Sequence, residues 1–328
     1  MKPKIYVTRM LPQAGMDLLA REFDVEVNPH DRVATREELL AGVRCKDALL
    51  SLLTDTIDAG VIDAEPRLRV ISNYAVAFNN IDIAAATERR ILVTNTPGVL
   101  TQTTADLAFA LLMTCARRIV EADEFMRAGK YRGWGPMLFL GQDIHGKTLG
   151  LIGFGRIGQA MAKRGLGFKM KILYNDAERA SEEVEKAHEA EYRELPDLLR
   201  ESDFVSLHVP LTDSTHHLIS DAQLSLMKNT AILINTSRGP VVDEKALVKA
   251  VKEGAVFGAG LDVFEREPEF EPGLEKLANV VMVPHIASAS VATRTKMSIM
   301  AAENACAVAR GEIPPNIVNP EVWSRRRR

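Results

Sequence analysis

The chain has 328 residues, 46% hydrophobic and 26% charged, with a formal net charge of -3. That composition is ordinary for a globular protein and gives no reason to expect nucleic acid or an anionic membrane as a partner. At about 100–200 residues per domain, the length predicts two domains and hence a cleft. No apolar run approaches the roughly 20 residues that span a bilayer. Four arginines at 325–328 read as a solvated terminus, and the opening Met-Lys-Pro-Lys-Ile-Tyr-Val leads into a strand pattern without a secretory apolar segment. Cys45, Cys115 and Cys306 form no Cys/His cluster. The expectation is therefore a cytoplasmic protein with reduced thiols and no metal site.

Short β-rich runs at 5–7, 48–53, 70–73 and 91–95 alternate with amphipathic stretches, which predicts a parallel sheet covered on both faces. Pro97-Gly98 then breaks the pattern ahead of a long helix over 105–127, with Leu107, Ala108, Leu111, Leu112 and Cys115 at helical spacing. A second series of strands follows at 148–152, 171–174, 204–209, 231–235, 259–263 and 280–283. Six strands at such intervals predict a doubly wound dinucleotide-binding domain beginning near the middle of the chain. The last helical pattern, 291–309, has no further strand to lead into and is expected to return to the N-terminal unit. The fold class is thus α/β with two doubly wound parallel-sheet domains. A Rossmann cofactor domain, 101–290, is inserted in a flavodoxin-like substrate domain made of 1–100 and 291–328.

Gly153-Phe154-Gly155-Arg156-Ile157-Gly158 follows an apolar strand and opens a helix. In this G-x-G-x-x-G pattern the first glycine permits a tight turn, the second lets backbone approach a pyrophosphate, and the third lets helix and strand pack closely. Asp176 ends the next strand, 18 positions after Gly158, close to the ~20 expected for a ribose-binding acid. A carboxylate there accepts from both ribose hydroxyls and repels a 2′-phosphate, so NAD(H) is favoured. Asp176 could instead cap a helix starting near Ala177. Arg179 could pair with a 2′-phosphate, which leaves NADP(H) open.

Three later segments, 235–239, 260–268 and 283–288, end strands on the side where open parallel sheets hold ligands. They carry Arg238, Glu267 and His285. Reducing a 2-oxo acid requires a cation for the carboxylate and polarised carbonyl, a proton donor for the developing alkoxide, and a group that keeps the donor protonated. Arg238 suits the first task as a planar fork. His285 suits the second, and Glu267 the third by stabilising imidazolium. Taken singly, Arg238 could bridge surface carboxylates, Glu267 could be an ordinary loop acid and His285 a structural histidine. Their shared placement downstream of the glycine loop points to chemistry. His208, followed by Val209 and Pro210, also ends a strand and is assigned to the cofactor side with Thr236. His216 and His217 read as surface residues.

These segments resemble the D-isomer-specific 2-hydroxyacid dehydrogenase family, most closely its glyoxylate and hydroxypyruvate reductases, over 4–319. The motifs that carry the resemblance are 153–158, 235–239 with Val241-Val242-Asp243, 260–268 and Pro284-His285. The resemblance implies Arg238, Glu267 and His285 as the catalytic triad, a discontinuous substrate domain, and a small 2-oxo or 2-hydroxy acid as substrate. It implies cofactor contacts at Thr104, the Arg156-Ile157 backbone, Pro210, Thr215 and Asp262, the last near the nicotinamide amide. It further implies that the Val76 and Ala77 N–H groups hold the substrate carboxylate, with Leu53 and Thr54 facing the substrate. Family members are usually homodimers, and the helix after Thr101 with the Trp134 loop resembles their dimerisation arm. Where the family commonly has Gly-Val-Gly, this chain has Ala75-Val76-Ala77. The two methyls are expected to tighten the pocket toward glyoxylate or another very small acid.

Within the family, formate oxidation is disfavoured because it leaves no hydroxyl proton to relay, and phosphite oxidation is left only by the triad. 3-Phosphoglycerate dehydrogenase is the alternative enzyme; it needs a further cationic phosphate site, and its longer forms carry a regulatory domain. The alternative from another class is an NAD-sensing, corepressor-like binding protein, which would carry extensions for partners.

Overall fold

The computed structural model describes residues 2–327. The chain forms two compact units, one of residues up to Leu100 with those from Ala289 onward, the other Thr101–Ser288.

The first unit has five parallel strands, β1 (Lys4–Val7), β2 (Asp24–Val27), β3 (Ala48–Leu52), β4 (Val70–Tyr74) and β5 (Leu92–Thr94), in the order β2-β1-β3-β4-β5. Strand β2 lies outside the four predicted strands. Its Asp-Val-Glu-Val sequence has no buried residue, because an edge strand of this kind presents alternating charge rather than an apolar run. The C-terminal helix Val291–Arg310 starts at Ser290, whose hydroxyl accepts the Thr293 N–H, and ends at Gly311. Its Met297, Ala301, Ala305 and Cys306 share one core with Ile5, Leu50, Val70 and Leu92, so both ends of the chain build this unit.

The second unit holds β6 (Thr148–Ile152), β7 (Lys171–Asn175), β8 (Ala190–Tyr192), β9 (Phe204–Leu207), β10 (Ile232–Asn235), β11 (Gly258–Leu261) and β12 (Val280–Met282). All pair in parallel, in the order β12-β11-β10-β9-β6-β7-β8. There are seven strands where six were predicted, because the short edge strand β8 has only Ala190 buried. The order reverses direction at β6, the switch point at which open α/β sheets bind ligands beyond the strands' carboxyl ends.

The helix predicted over 105–127 is two helices, Thr101–Ala116 and Ile119–Arg127. Arg118 between them has φ +52, and its guanidinium pairs with Glu121 at 2.7 Å and donates to the Leu140 carbonyl at 3.3 Å. The Ala116 carbonyl turns to the Gln142 N–H at 2.8 Å. Apolar spacing runs through this point and gives no sign of a break that depends on a distant segment.

Candidate functional site

The glycine loop follows β6 directly. Gly153 has φ +93, in the left-handed region that favours glycine, and a Cβ there would lie 2.7 Å from the His208 carbonyl. At Gly158 a Cβ would meet the Gly153 carbonyl oxygen at 2.2 Å, so only glycine lets the helix Arg156–Gly167 pack against the strand. Gly155 is the opposite case: nothing lies within 4 Å of its Cβ position. The loop is therefore closed where it packs and open where a pyrophosphate would approach. Arg156 and Ile157 form the first turn of the helix, whose free N–H groups favour an anion.

Asp176, just past β7, accepts the Phe154 N–H at 2.6 Å and the Ala177 N–H at 2.7 Å, which ties it to the glycine loop. It does not cap a helix, since the next one begins at Glu182 with Ser181 as its cap. Arg179 is held by Glu185 at 2.8 and 3.1 Å. Glu185 also accepts the Tyr174 hydroxyl at 2.6 Å, and these two partners push its carboxyl down to about 2.

On the other side of β6, the His208 N–H donates to the Ile152 carbonyl at 2.7 Å and its Nε2 lies 2.9 Å from the Ser206 hydroxyl. The residue keeps some solvent contact, but protein atoms surround the ring and burial pushes the imidazole down to about 4. Val209 and Pro210 follow, and the Thr215 hydroxyl donates to the Pro210 carbonyl at 2.6 Å. Thr104 is buried. The buried Thr236 hydroxyl has no hydrogen-bond partner among the described residues, a polar atom left for a ligand. With the open Gly155 position and Asp176, it makes the residues present fit a dinucleotide.

Beyond β10 the buried Asn235 side chain accepts the Ser237 N–H at 3.0 Å and donates to the Arg238 carbonyl at 3.0 Å, shaping the turn that carries Arg238. The guanidinium donates to the Ser237 carbonyl at 2.6 Å rather than to Glu267. Burial lowers its pKa, and the charge of Glu267 opposes that. Glu267 lies 2.9 Å through Oε2 from His285 Nδ1, while its Oε1 accepts the Phe264 N–H at 3.0 Å. Burial raises the Glu267 carboxyl, but His285, the Phe264 N–H and Arg238 together outweigh it and leave the carboxyl below its usual value.

His285 has φ +52, a region that costs a non-glycine residue about 1–3 kcal/mol. Its neighbours hold it there. The His285 N–H donates to the Asp262 carbonyl at 2.9 Å, and the fully buried Asp262 carboxylate accepts the N–H groups of Ile286 at 2.6 Å and Ala287 at 2.9 Å. Burial pushes Asp262 up to about 6 despite those bonds.

In the first unit, Ala75-Val76-Ala77 follows β4. The Ala75 carbonyl accepts the Thr96 N–H at 2.8 Å, that of Val76 the Asn95 amide at 2.7 Å, and that of Ala77 the Asn73 amide at 2.9 Å. The Val76 and Ala77 N–H groups pair with no protein acceptor among the described residues. Leu53 and Thr54 are exposed on a loop held by Asn80, which donates to the Leu52 and Asp55 carbonyls at 3.0 Å each. Buried Asp55 accepts the Thr8 hydroxyl at 2.5 Å and the Leu52 N–H at 2.7 Å.

Sequence reasoning passed over several residues near these sites. His217, expected at the surface, is only partly exposed and pairs with Glu265, two residues from Glu267. An adjacent apolar face would have been needed to signal it, and His216 beside it is indeed exposed. Glu244 was likewise unmarked, whereas Asn80 lies in the segment 73–82 that resembles the family's substrate loop. Among the described residues no group of His, Cys, Asp and Glu is arranged to hold a metal ion.

Residues 109–287 match the family model for D-isomer specific 2-hydroxyacid dehydrogenase, NAD binding domain. The chain is 55% identical to a glyoxylate reductase of Korarchaeum cryptofilum over 324 residues, 98% of this chain and 97% of that one. Among solved structures it is similar to the TT0316 protein of Thermus thermophilus, with a TM-score of 0.90, 45% identity, and 96% and 99% of the two chains covered. It is also similar to an NADPH-dependent glyoxylate/hydroxypyruvate reductase of Sinorhizobium meliloti in complex with NADP and malonate. There the TM-score is 0.86 at 32% identity, with 100% and 99% covered.

Proposed function

The chain belongs to the D-isomer specific 2-hydroxyacid dehydrogenase family and is an NAD(P)H-dependent reductase of small 2-oxo acids, and from that premise we propose that Arg238, Glu267 and His285 reduce glyoxylate. The observation that carries the reading is the 2.9 Å contact between Glu267 and His285 Nδ1. It occupies one imidazole nitrogen and leaves Nε2 to deliver a proton.

Bound NAD(P)H supplies the hydride that the protein itself lacks. Gly153, Gly155 and Gly158, with the first turn at Arg156 and Ile157, would cradle the pyrophosphate; Asp176 would take the ribose hydroxyls and so favour NAD(H). Thr104, His208, Val209, Pro210, Thr215, Thr236 and Asp262 complete the assigned cofactor residues. Arg238 orients the 2-oxo acid and stabilises negative charge growing on the carbonyl oxygen. His285 Nε2 gives that oxygen its proton, while Glu267 holds Nδ1–H and offsets the charge of the imidazolium. The unpaired N–H groups of Val76 and Ala77 suit a carboxylate, with Ala75, Leu53 and Thr54 shaping its surroundings. The residues up to 100 and from 291 thus act as the substrate domain and 101–290 as the cofactor domain.

The same reading includes a homodimer in the cytoplasm. Ile119, Met126, Trp134, Met137 and Leu140 are each at least half exposed, an apolar surface on the segment that resembles a dimerisation arm. The cysteines are free, with Cys115 and Cys306 buried, and among the described residues no helix is long and apolar enough to cross a membrane. Light scattering on the purified protein tests the dimer. A steady-state panel of glyoxylate, hydroxypyruvate, pyruvate and 3-phosphohydroxypyruvate, each with NADH and NADPH, tests the activity. The expected result is the highest kcat/KM for glyoxylate with NADH; no NADH oxidation with any of the four overturns the reading.

A further inference from the structure

Glu244 is a buried carboxylate, 3% exposed, with no part in the chemistry above. It opens the helix Glu244–Lys252, but Asp243 already caps that helix by accepting the Ala246 N–H at 3.0 Å. The two Glu244 oxygens have separate partners. Oε1 accepts the Glu265 N–H and Oε2 accepts the Glu271 N–H, both at 2.8 Å. Those two N–H groups bracket the loop whose interior carries Glu267. The near wall of this loop is equally constrained, since a Cβ on Gly239, next to Arg238, would lie 1.9 Å from the Phe264 carbonyl.

Burying a carboxylate is costly and raises its pKa, and an apolar side chain would spare that cost. What the carboxylate gives in return is one rigid group that fixes both ends of a loop. We propose that Glu244 is a positioning residue for the reaction, holding Glu267 within reach of His285 by pinning the Glu265 and Glu271 backbone; this rests on the reading of Glu267 and His285 as the acid–base pair. Both oxygens are required. A carboxamide has one acceptor oxygen, and its NH2 group would face the second N–H donor to donor. The charged groups around Glu244 are Glu265 and Glu271, with His217 paired to the first and Arg266 to the second at 3.2 Å.

The test compares Glu244→Gln with the unaltered full-length protein and with His285→Ala. In Glu244→Gln, kcat for glyoxylate is expected to fall about tenfold to a hundredfold, the scale of a small misplacement of catalytic groups. The Kd for NADH, read by fluorescence, stays within about twofold because the glycine loop is untouched. Amide hydrogen exchange quickens across 264–272, and the alkaline limb of the kcat/KM profile moves to lower pH as support from Glu267 weakens. If Glu244→Gln does not fold, Glu244→Asp carries the test, since it keeps the charge but is too short to reach both N–H groups. Wild-type kcat in the folded variant overturns the proposal. So does loss of NADH binding along with kcat, which would mark Glu244 as a general support of the fold. Turnover retained in His285→Ala would instead bring down the acid–base reading itself, whereas turnover lost there and kept in Glu244→Gln defeats only the role of Glu244.

Discussion

The loops assigned to function in the two units lean on different side-chain types, though not exclusively. In Thr101–Ser288 three carboxylates accept backbone N–H groups, Asp176 from Phe154 and Ala177, Asp262 from Ile286 and Ala287, and Glu244 from Glu265 and Glu271, while the Asn235 carboxamide braces the Arg238 turn. In the other unit three carboxamides donate to backbone carbonyls, Asn73 to Ala77, Asn95 to Val76, and Asn80 to Leu52 and Asp55, and one carboxylate, Asp55, accepts the Leu52 N–H. In the proposed reaction the side chains of Arg238 and His285 stabilise charge and carry the proton. The Val76 and Ala77 N–H groups, proposed to hold the substrate carboxylate, do not titrate. On that proposal proton transfer falls to side chains of one unit and anion recognition to backbone N–H groups of the other.

The sharpest way to break this contrast is to strip a side chain from the first set. His285→Ala is expected to lower kcat by about 10²–10⁴-fold, the usual contribution of a general acid, with the NADH Kd within about twofold. The carbonyl-clamping set should behave differently. Asn80→Ala removes two donors that hold the Leu52–Asp55 loop, and buried bonds of this kind are worth about 1–3 kcal/mol when a partner is left unsatisfied. The expected outcome is a KM for glyoxylate about tenfold higher, a kcat nearly unchanged, and a kcat/KM–pH profile of unchanged shape. A shift in that profile would show that the division of labour does not hold. A smaller effect is expected at Glu185, which holds Arg179 near the end of β7, where the ribose is proposed to bind. Glu185→Ala should raise kcat/KM with NADPH only severalfold relative to NADH, because it frees the Arg179 guanidinium while Asp176 remains to repel the 2′-phosphate.

How far each feature could be read in advance follows from how local its cause is. Gly158 is legible because its contact with the Gly153 carbonyl lies within one turn, and Arg238, Glu267 and His285 stand out in the sequence because each follows a strand of the second sheet. The α/β fold was legible because strands such as β6 and β9 are mostly apolar and buried along nearly their whole length. Strands β2 and β8 were not, being edges with little buried surface. The break at Arg118 depends on Gln142, and the roles of Glu244 and Asn80 on loops 21 to 28 positions away in sequence. Nothing local in Val-Val-Asp-Glu-Lys says that the glutamate turns inward to a distant loop while the aspartate beside it caps the helix.

The smallest predicted effect is on stability, and it divides within the unit Thr101–Ser288. His208 titrates near 4 in the folded protein instead of 6.5, so the unfolded chain binds the extra proton first and stability is lost as pH falls from about 6.5 to about 4. Asp262 titrates near 6 instead of 3.8. Here the folded state holds the extra proton, so the same acidification restores stability. The two contributions oppose one another, and single substitutions should separate them. Thermal melting of His208→Asn between pH 4 and 7 should show a smaller drop in Tm on acidification than the unaltered protein, by a few °C for ~1–3 kcal/mol. Asp262→Asn should show a steeper drop, because the compensating proton is gone. Parallel melting curves for all three proteins would mean that neither group is desolvated as its surroundings require, and that the loop at Ile286 and Ala287 is held by hydrogen-bond geometry alone.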